Sequence, residues 1–158
     1  MKIGLFAGSF SPITNYHLDL IGRSLHIVDH IVVAIDENSS SPYLNREELV
    51  KSSIKSALGL SDKQCTVSSY SGMLGDFAYK IGATILVRGI RNIADYEREK
   101  DQVAINKQAY KGLETVFLLA KPELSMISSQ MIQNLISLGG DISPYVQKSV
   151  LKAQKENK

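Results

Sequence analysis

Short apolar segments alternate with amphipathic segments along the whole chain, and this alternation constrains the fold more than any other feature. The run HIVVAI at residues 30–35 is almost continuously apolar and rich in β-branched residues, which is typical of a strand covered on both faces. Further strands are predicted at residues 2–7, 66–70, 84–87 and 114–120. Strands that alternate with helices predict an α/β fold, with a mostly parallel sheet of about five strands and helices on both faces.

Apolar residues at helical spacing occupy the intervals between the predicted strands. Leu18, Ile21 and Leu25 recur at this spacing, and Asn45, followed three positions later by Glu48, is a candidate cap for the next helix. Helices are predicted after Asn45 and at residues 15–27, 74–81, 96–109, 128–138 and 143–154. The last two helices close the chain.

Composition narrows the class of protein. Hydrophobic residues make up 44% of the chain and charged residues 22%, which is ordinary for a folded protein. A length of 158 residues suits one domain, so residues 1–158 are predicted to form a single domain. A formal net charge of +2 and the absence of tryptophan disfavour a nucleic-acid binder. No apolar stretch is long enough to span a bilayer or to form a secretion signal. Cys65 is the only cysteine, so we expect a packed thiol in a cytoplasmic protein.

Residues that follow strands are the first candidates for a site, because the ligand crevice of a parallel α/β sheet lies beyond the carboxyl ends of its strands. Gly8, Ser9 and Phe10 follow the first strand, and His17 falls in the first turn of the next helix. Glycine allows close backbone approach, and a helix N-terminus favours phosphate. His17 is therefore predicted to stabilise charge on a phosphate. The alternative is a Gly-Ser turn followed by an ordinary surface or packed histidine.

Two arginines around a glycine lie at the carboxyl end of the fourth strand, in the sequence RGIRNIADYEREK. Arg88 and Arg91 would form a fork-shaped clamp for an anion at the strand terminus. The alternative is a pair of surface arginines that are neutralised by Asp95 and Glu99. The position beyond a strand favours the clamp.

A third candidate follows the last strand, where Ser128 and Ser129 open a helix. These serines would either cap that helix or offer hydroxyls and amides to a second phosphate. Three features that suit phosphate, each after a different strand of one sheet, predict that the chain binds a nucleotide in the triphosphate form, with a second anionic substrate nearby.

These residues resemble the motifs of bacterial phosphopantetheine adenylyltransferases, which belong to the wider nucleotidylyltransferase superfamily. AGSFSPITNYHLDLIGRS is similar to the first motif of the family, ILVRGIRNIADYEREKDQVAINK to its arginine segment, ETVFLLAKPELSMISSQMI to its Ile-Ser-Ser segment and LGGDISPYV to its C-terminal turn. The first motif is shared across the superfamily, whereas the arginine segment is more specific. The resemblance covers nearly the whole chain and implies a Rossmann-like fold.

The resemblance implies a reaction in which the adenylyl group of ATP is transferred to 4′-phosphopantetheine. The products are dephospho-coenzyme A and pyrophosphate, and no covalent intermediate forms. The resemblance also implies Mg²⁺ that accompanies the ATP, a homohexamer, and coenzyme A as a candidate feedback ligand. It gives no metal ligands in the protein itself.

The resemblance further assigns roles to individual residues. His17 would be catalytic and would stabilise the transition state at the α-phosphate, and Arg88 would hold the phosphate of phosphopantetheine. Contacts with ATP are implied for Ser9, Phe10, His17, Gly89, Ile90, Arg91, Glu99, Leu124, Ser125, Met126, Ile127, Ser128, Ser129 and Gln130. Contacts with phosphopantetheine are implied for Ser9, Ser41, Leu74 and Arg88.

The sequence departs from the family pattern at four places. Ser11 replaces the aspartate before the proline, Tyr16 replaces the glycine before the histidine, and Gln130 replaces a third serine or threonine. The loop DENSSSPYL lacks the lysine that helps to bind phosphate, and Ser41, or Ser40 with a different gap, takes its place. Loss of one charged transition-state contact costs on the order of 3–4 kcal/mol.

The departures leave several interpretations open. Arg46, Lys121 and Arg23 are candidates to replace the missing lysine. Tyr16 would close part of the nucleotide site, stack on the adenine, or lie on the surface. Two alternatives to an active enzyme for phosphopantetheine stay open. One is a non-catalytic paralogue that binds coenzyme A or a nucleotide, and the other is an adenylyltransferase with a different phosphate acceptor, such as nicotinamide mononucleotide.

Overall fold

The computed structural model describes residues 1–157, and over these residues five strands alternate with six α-helices. The strands are β1 (Ile3–Gly8), β2 (His30–Asp36), β3 (Cys65–Tyr70), β4 (Ile85–Ile90) and β5 (Glu114–Leu119). The helices are α1 (Asn15–Ser24), α2 (Arg46–Leu58), α3 (Leu74–Ile81), α4 (Ile93–Ala109), α5 (Ser129–Ser137) and α6 (Lys148–Glu156), with a 3₁₀ turn at Pro122–Leu124. None of the helices within residues 1–157 has the length and apolarity needed to cross a membrane.

All five strands pair in parallel, in the order β3-β2-β1-β4-β5. This arrangement confirms the predicted parallel α/β sheet. From the central strand β1 the chain adds β2 and β3 on one side and later adds β4 and β5 on the other. The direction of strand addition reverses between β1 and β4, and in open parallel sheets a ligand crevice lies at such a point. A site is therefore expected at the carboxyl ends of β1 and β4.

The hydrophobic core lies on both faces of this sheet. On one face Phe6 and Val33 pack with side chains of α1, α2, α5 and α6. On the other face Leu5, Val32 and Ala34 pack with side chains that include those of α3. Neighbouring residues of a strand point to opposite faces, so two covered faces explain why the run HIVVAI is apolar at nearly every position.

The last helix begins later than the sequence predicts. It was predicted from residue 143, but α6 begins at Lys148. The carboxylate of Asp141 accepts hydrogen bonds from both the amide and the hydroxyl of Ser143. The amide of Asn15 also donates to a carbonyl in this segment. Residues 143–147 therefore form a turn that is docked on α1, and the helix starts only after it.

Asparagine stands at the N-cap position of two other helices. Helix α4 begins at Ile93, earlier than the predicted residue 96, because the side chain of Asn92 accepts a hydrogen bond from the amide of Asp95. Asn45 precedes α2, but its side chain makes no capping hydrogen bond. Asn45 therefore has the predicted position at the start of α2 but does not cap the helix through its side chain.

Cys65 is buried in the structure, as expected of a packed thiol. Burial, followed by the charge of Asp62, raises the pKa of the thiol to about 11. Because the thiolate is the reactive form of cysteine, Cys65 is not a candidate nucleophile at neutral pH.

Candidate active site

A cleft of about 340 Å³ opens at the carboxyl ends of β1 and β4, where the direction of strand addition reverses. Its walls come from the loop after β1 and from parts of α1, β4, α4 and α5. The predicted site residues that line it are Ser9, His17, Arg88, Gly89, Arg91, Glu99, Ile127, Ser128, Ser129 and Gln130. Three sequence-distant segments that were predicted to meet at one edge of the sheet therefore do meet there.

The other residues with predicted substrate contacts do not line this cleft: Phe10, Ile90, Ser41, Leu74, Leu124, Ser125 and Met126. Phe10 is buried, and its ring packs edge-on against the ring of His17 with the centroids 5.1 Å apart. It therefore supports a cleft residue from behind. The substrate contacts of this second group stay predictions.

His17 is held in one protonation state by its surroundings. The backbone amide of Thr14, the residue before α1, donates to Nδ1 of His17 at 3.0 Å. Because an amide N–H can only donate, Nδ1 carries no proton, and the proton of the neutral ring lies on Nε2. Burial, with the charges of Arg91 and Arg88, lowers the pKa of His17 to about 4. The cleft therefore contains a neutral N–H donor that suits charge developing on a phosphate oxygen.

Arg88, near the carboxyl end of β4, is fixed by three hydrogen bonds. Its Nε and Nη2 donate to the two carboxylate oxygens of Glu99, each at 2.7 Å, and its Nη1 donates to the carbonyl of Ala7 at 2.9 Å. A bidentate pair of this kind fixes the plane of the guanidinium group. Arg88 therefore joins the ends of β1 and β4 and orients its charge at the cleft wall.

Arg91 binds Asp95 in a similar bidentate way. Its Nε donates to Oδ2 at 2.9 Å and its Nη2 to Oδ1 at 3.2 Å, while Nη1 donates to the carbonyl of Ile127 at 3.2 Å. Burial favours the neutral acid of Asp95, but the hydrogen bonds and the charge of Arg91 outweigh it and lower the pKa of this carboxyl group. Asp95 is therefore ionised at neutral pH and holds Arg91 in place.

Both predicted clamp arginines thus have the carboxylate partners that the alternative interpretation gave them. They do not lie on the surface, however, because the Arg88 and Arg91 side chains are 26% and 20% exposed and both line the cleft. Arg88 and Arg91 are therefore both ion-paired and part of the cleft wall. The carboxylates orient the two guanidinium groups in advance and offset part of their charge.

The predicted capping role of Ser128 is confirmed. Its hydroxyl accepts a hydrogen bond from the amide of Met131 at 3.0 Å, at the start of α5. Ser128 and Ser129 also line the cleft. The amino end of α5, with its positive dipole end, therefore faces the same space as His17 and Arg91.

Tyr16 is buried, so the interpretation of a surface tyrosine is wrong. Its side chain is 8% exposed, and its hydroxyl lies so close to Gly89 that a Cβ atom there would overlap with it. The guanidinium carbon of Arg91 lies 5.6 Å from the ring centroid, within the range of a cation–π contact. Burial raises the pKa of the phenol to about 12. A neutral phenol therefore fills space between α1 and β4 where the family pattern has only a glycine.

Two of the departures from the family pattern contact each other. The hydroxyl of Ser41, one of the two candidate positions for the missing lysine, lies 2.6 Å from the hydroxyl of Ser11, which stands in place of the usual aspartate. Both positions therefore carry neutral side chains that satisfy one another.

The three candidate replacements for the lysine do not line the cleft as the structure describes it over residues 1–157. Lys121 lies 3.2 Å from Asp19, which also pairs with Arg23 at 3.0 Å. Arg46 donates to the carbonyl of Ser9 at 2.7 Å and to the loop after β2. Arg46 therefore supports the loop after β1 from outside the cleft.

Two charged cleft residues have no binding role in the motif comparison. The sequence predicts Asp95 only as an ion-pair partner of surface arginines and gives Arg98 no role, yet both line the cleft. Arg98 stands one helical turn after Asp95 on α4, and residues at this spacing share a helix face. That spacing is the signal in the sequence from which Arg98 could be placed in the site.

A second cleft, of about 270 Å³, adjoins the first. Arg88 and Glu99 line both clefts, and the second is also lined by the apolar side chains of Met73, Leu74 and Ile105. The Arg88–Glu99 pair therefore lies at the boundary between a polar cleft and a partly apolar one.

No group of three or more histidine, cysteine, aspartate or glutamate side chains within residues 1–157 could hold a metal ion. The two carboxylates of the main cleft, Asp95 and Glu99, are both bound by arginines. A divalent cation at this site would therefore depend on the phosphates of a bound nucleotide for most of its ligands.

Comparison with known proteins agrees with this geometry. The family model for cytidylyltransferase-like proteins matches residues 5–135. The phosphopantetheine adenylyltransferase of Caulobacter sp. strain K31 is 38% identical over 152 residues, which cover 95% of this chain and 94% of that protein. The chain belongs to the phosphopantetheine adenylyltransferase family. The family member from Limosilactobacillus reuteri strain DSM 20016 is 40% identical over 157 residues, or 99% of this chain and 90% of the relative.

A solved structure supports the fold independently. A protein from Vibrio parahaemolyticus that is assigned as a nicotinate-nucleotide adenylyltransferase superposes with a TM-score of 0.71 at 22% identity. The match covers 99% of this chain and 93% of that protein. At this identity the likeness shows the fold alone, and it agrees with the predicted Rossmann-like architecture.

We expect the ring of His17 to stay neutral across physiological pH. Its Hε1 signal in NMR spectra, assigned by its loss in His17→Gln, should not move between about pH 8 and about pH 5.5, since the folded-state pKa is about 4. The unfolded ring has a pKa of about 6.5, so protons bind the unfolded state first. The free energy of unfolding that depends on this group is therefore intact above about pH 6.5 and falls as the pH drops toward 4. A titration of the folded signal centred near 6.5 would contradict this account.

We also expect Tyr16 and Gly89 to be energetically coupled. Gly89→Ala should lower the free energy of unfolding by about 1–3 kcal/mol, because its Cβ would overlap with the Tyr16 hydroxyl and with Leu20. The same substitution should cost less in a Tyr16→Ala background, where the hydroxyl is gone. Chemical denaturation of the four proteins measures this difference, and costs that simply add would show that the two residues do not compete for the same space.

Proposed function

We propose that this protein is a nucleotidyltransferase that transfers the adenylyl group of ATP to 4′-phosphopantetheine, forming dephospho-coenzyme A and pyrophosphate in coenzyme A biosynthesis. The observation that carries the proposal is the shared cleft, in which the neutral donor of His17, the guanidiniums of Arg88 and Arg91 and the amino end of α5 meet. Relatives that match nearly the whole chain carry the name of this activity.

The reaction would proceed by direct displacement. An oxygen of the pantetheine phosphate attacks the α-phosphorus of ATP in line with the bond to the β-phosphate. A new phosphorus–oxygen bond forms, the old one breaks, and pyrophosphate leaves with the bonding electrons. The second pKa of a phosphate monoester is about 6, so the attacking oxygen is already deprotonated at neutral pH. The protein therefore supplies alignment and charge stabilisation rather than a general base.

His17 would donate its Nε2 hydrogen to an oxygen of the α-phosphate, where negative charge rises as the new bond forms. The hydrogen bond from the Thr14 amide fixes the orientation of the ring before the substrate arrives. A donor that is already oriented needs no rearrangement when the charge develops, which is the basis of electrostatic catalysis. Ser9, at the same wall of the cleft, would contact both substrates.

Arg88 would hold the phosphate of the acceptor, because it lies where the two clefts meet. The second cleft has apolar walls at Met73, Leu74 and Ile105, which suits the uncharged pantetheine arm. ATP would occupy the main cleft, with its phosphates toward Arg91 and the amino end of α5. This division gives each substrate one cleft and brings the two phosphates together at the boundary.

Mg²⁺ would enter with ATP and would partly neutralise the triphosphate. The carboxylates of the cleft are committed to arginines, so the structure fits an ion that the nucleotide holds better than one held by the protein. We therefore propose that Mg²⁺ binds as part of the ATP complex.

The departures from the family pattern support a second candidate function. Ser41 and Ser11 form a neutral pair where the pattern has charged residues, and Tyr16 fills space beside Gly89. A non-catalytic protein that binds coenzyme A or a nucleotide would tolerate both changes. A transferase with another phosphate acceptor, such as nicotinamide mononucleotide, is a further alternative, which the partly apolar cleft beside Arg88 does not favour.

We further propose a homohexamer in the cytoplasm, with coenzyme A as a feedback ligand. The exposed apolar side chains of Ile93 and Tyr96, which are one helical turn apart on α4, support contact between copies. Coenzyme A contains the pantetheine arm and would compete for the same clefts.

The proposed function predicts pyrophosphate release from ATP and Mg²⁺ that depends on 4′-phosphopantetheine. His17→Gln should lower kcat by about 10²–10³-fold, because it removes an oriented transition-state donor. His26→Gln is the matched control, since His26 is exposed and does not line the cleft. It should leave kcat unchanged.

Three other outcomes would each point away from the proposal. The first is a wild-type protein that binds the substrates in calorimetry but does not turn them over, with turnover seen only in a Ser41→Lys/Tyr16→Gly variant. This result would support the non-catalytic paralogue. A clear preference for nicotinamide mononucleotide would support a different acceptor. Equal turnover in wild type and His17→Gln would remove His17 from the reaction.

A further inference from the structure

Arg98 differs from the other two arginines of the main cleft in how its donors are used. Arg88 and Arg91 each engage all three guanidinium nitrogens with Glu99, Asp95 or backbone carbonyls. Arg98 uses only Nη2, which donates to Oδ1 of Asp95. Within residues 1–157 no hydrogen bond engages its Nε or Nη1. Its side chain is 68% exposed, so these donors are available to a ligand.

The charge balance of the cleft also points to Arg98 as a binding group for an anion. Three arginines but only two carboxylates line it, and His17 is neutral because its pKa is lowered to about 4. Glu99 pairs with Arg88 alone. Asp95 is shared between Arg91 and Arg98. The unneutralised positive charge therefore belongs to the cluster of Arg91, Asp95 and Arg98.

This cluster lies on the side of the cleft that is formed by the segment before α5. Asp95 binds both guanidinium groups, so Arg98 is held close to Arg91, and Arg91 in turn donates to the carbonyl of Ile127. Ser128 and Ser129, which follow, form the amino end of α5 at the cleft wall. Arg88 lies instead at the boundary with the second cleft. Arg98 is therefore placed with the groups that suit a nucleotide.

The loop after β2 offers no cation to the same ligand. Its sequence DENSSSPYL contains neither lysine nor arginine, and the hydroxyl of Ser41 is turned to Ser11. Arg46, the nearest arginine along the chain, is engaged by the carbonyl of Ser9 and by Ser39. The loop after β2 therefore supplies no cation to a nucleotide in the main cleft.

We propose that Arg98 binds the polyphosphate of the nucleotide and adds positive charge to the side of the cleft formed by Arg91 and the amino end of α5. Nη2 keeps its bond to Asp95, while Nε and Nη1 donate to phosphate oxygens. This inference rests on the proposed function, because it takes ATP as the ligand of the main cleft. It adds a phosphate-binding residue on α4 to the residues implied by the family motifs.

Calorimetric titration of wild type, Arg98→Gln and Arg98→Lys with four ligands tests the proposal. The ligands are ATP with Mg²⁺, pyrophosphate, AMP and 4′-phosphopantetheine. Arg98→Gln should weaken binding of ATP and pyrophosphate by about tenfold or more, as expected for loss of a charge-assisted hydrogen bond. It should leave AMP and phosphopantetheine within about twofold and should flatten the salt dependence of ATP binding. Arg98→Lys should retain part of the affinity.

Lys100→Gln is the matched control. Lys100 is on the same helix, is exposed, pairs with Glu97 and does not line the cleft. The substitution makes the same change in net charge, so it should leave all four affinities unchanged. An equal loss of ATP affinity in Lys100→Gln would show a general charge effect and would overturn the proposal.

Two further outcomes would overturn the proposal. One is wild-type affinity of Arg98→Gln for ATP and pyrophosphate, and the other is a loss confined to phosphopantetheine. Failure of the proposed function has a different signature. Wild type that binds ATP but releases no pyrophosphate would refute transfer and leave the role of Arg98 standing. Wild type that binds neither ATP nor pyrophosphate would refute both.

Discussion

The pairing of β1 with β4 is the constraint on which the site depends. The two strands pair in parallel, with Gly4 opposite Ile85 and Leu5 opposite Leu86, and the direction of strand addition reverses between them. The loop after β1 and the arginine segment after β4 therefore open on one cleft. Arg88 reinforces this geometry, because its Nη1 donates to the carbonyl of Ala7 at the end of β1. Without this neighbour relation the motifs would be distant in space as well as in sequence.

Charge in the cleft is arranged before any ligand binds. Carboxylates hold Arg88 and Arg91 in fixed orientations, and the Thr14 amide fixes the tautomer of His17. Burial and the two arginines keep that histidine neutral, so it acts as a donor and adds no positive charge of its own. Such a site suits a reaction in which phosphates must be aligned and their charge stabilised.

The sequence predicts the sheet and the edge at which the site lies, because strand periodicity is local and the motifs follow strands. It does not predict contacts between segments. That Tyr16 fills the space beside Gly89, or that Ser41 bonds to Ser11, depends on distances set by the packed tertiary structure. The sequence also does not predict the start of α6 at Lys148. The amide of Ser143 donates to the side chain of Asp141, and this hydrogen bond stabilises a turn where a helix was expected.

The central claim is that ATP binds the main cleft with its α-phosphate at His17. A crystal structure with a non-hydrolysable ATP analogue tests this claim most directly. We expect an α-phosphate oxygen within about 3 Å of Nε2 of His17 and the terminal phosphates beside Arg91 and α5. An analogue bound outside the cleft would contradict the account. The account would also be contradicted if the Tyr16 side chain kept the α-phosphate of the bound analogue beyond hydrogen-bond distance of His17.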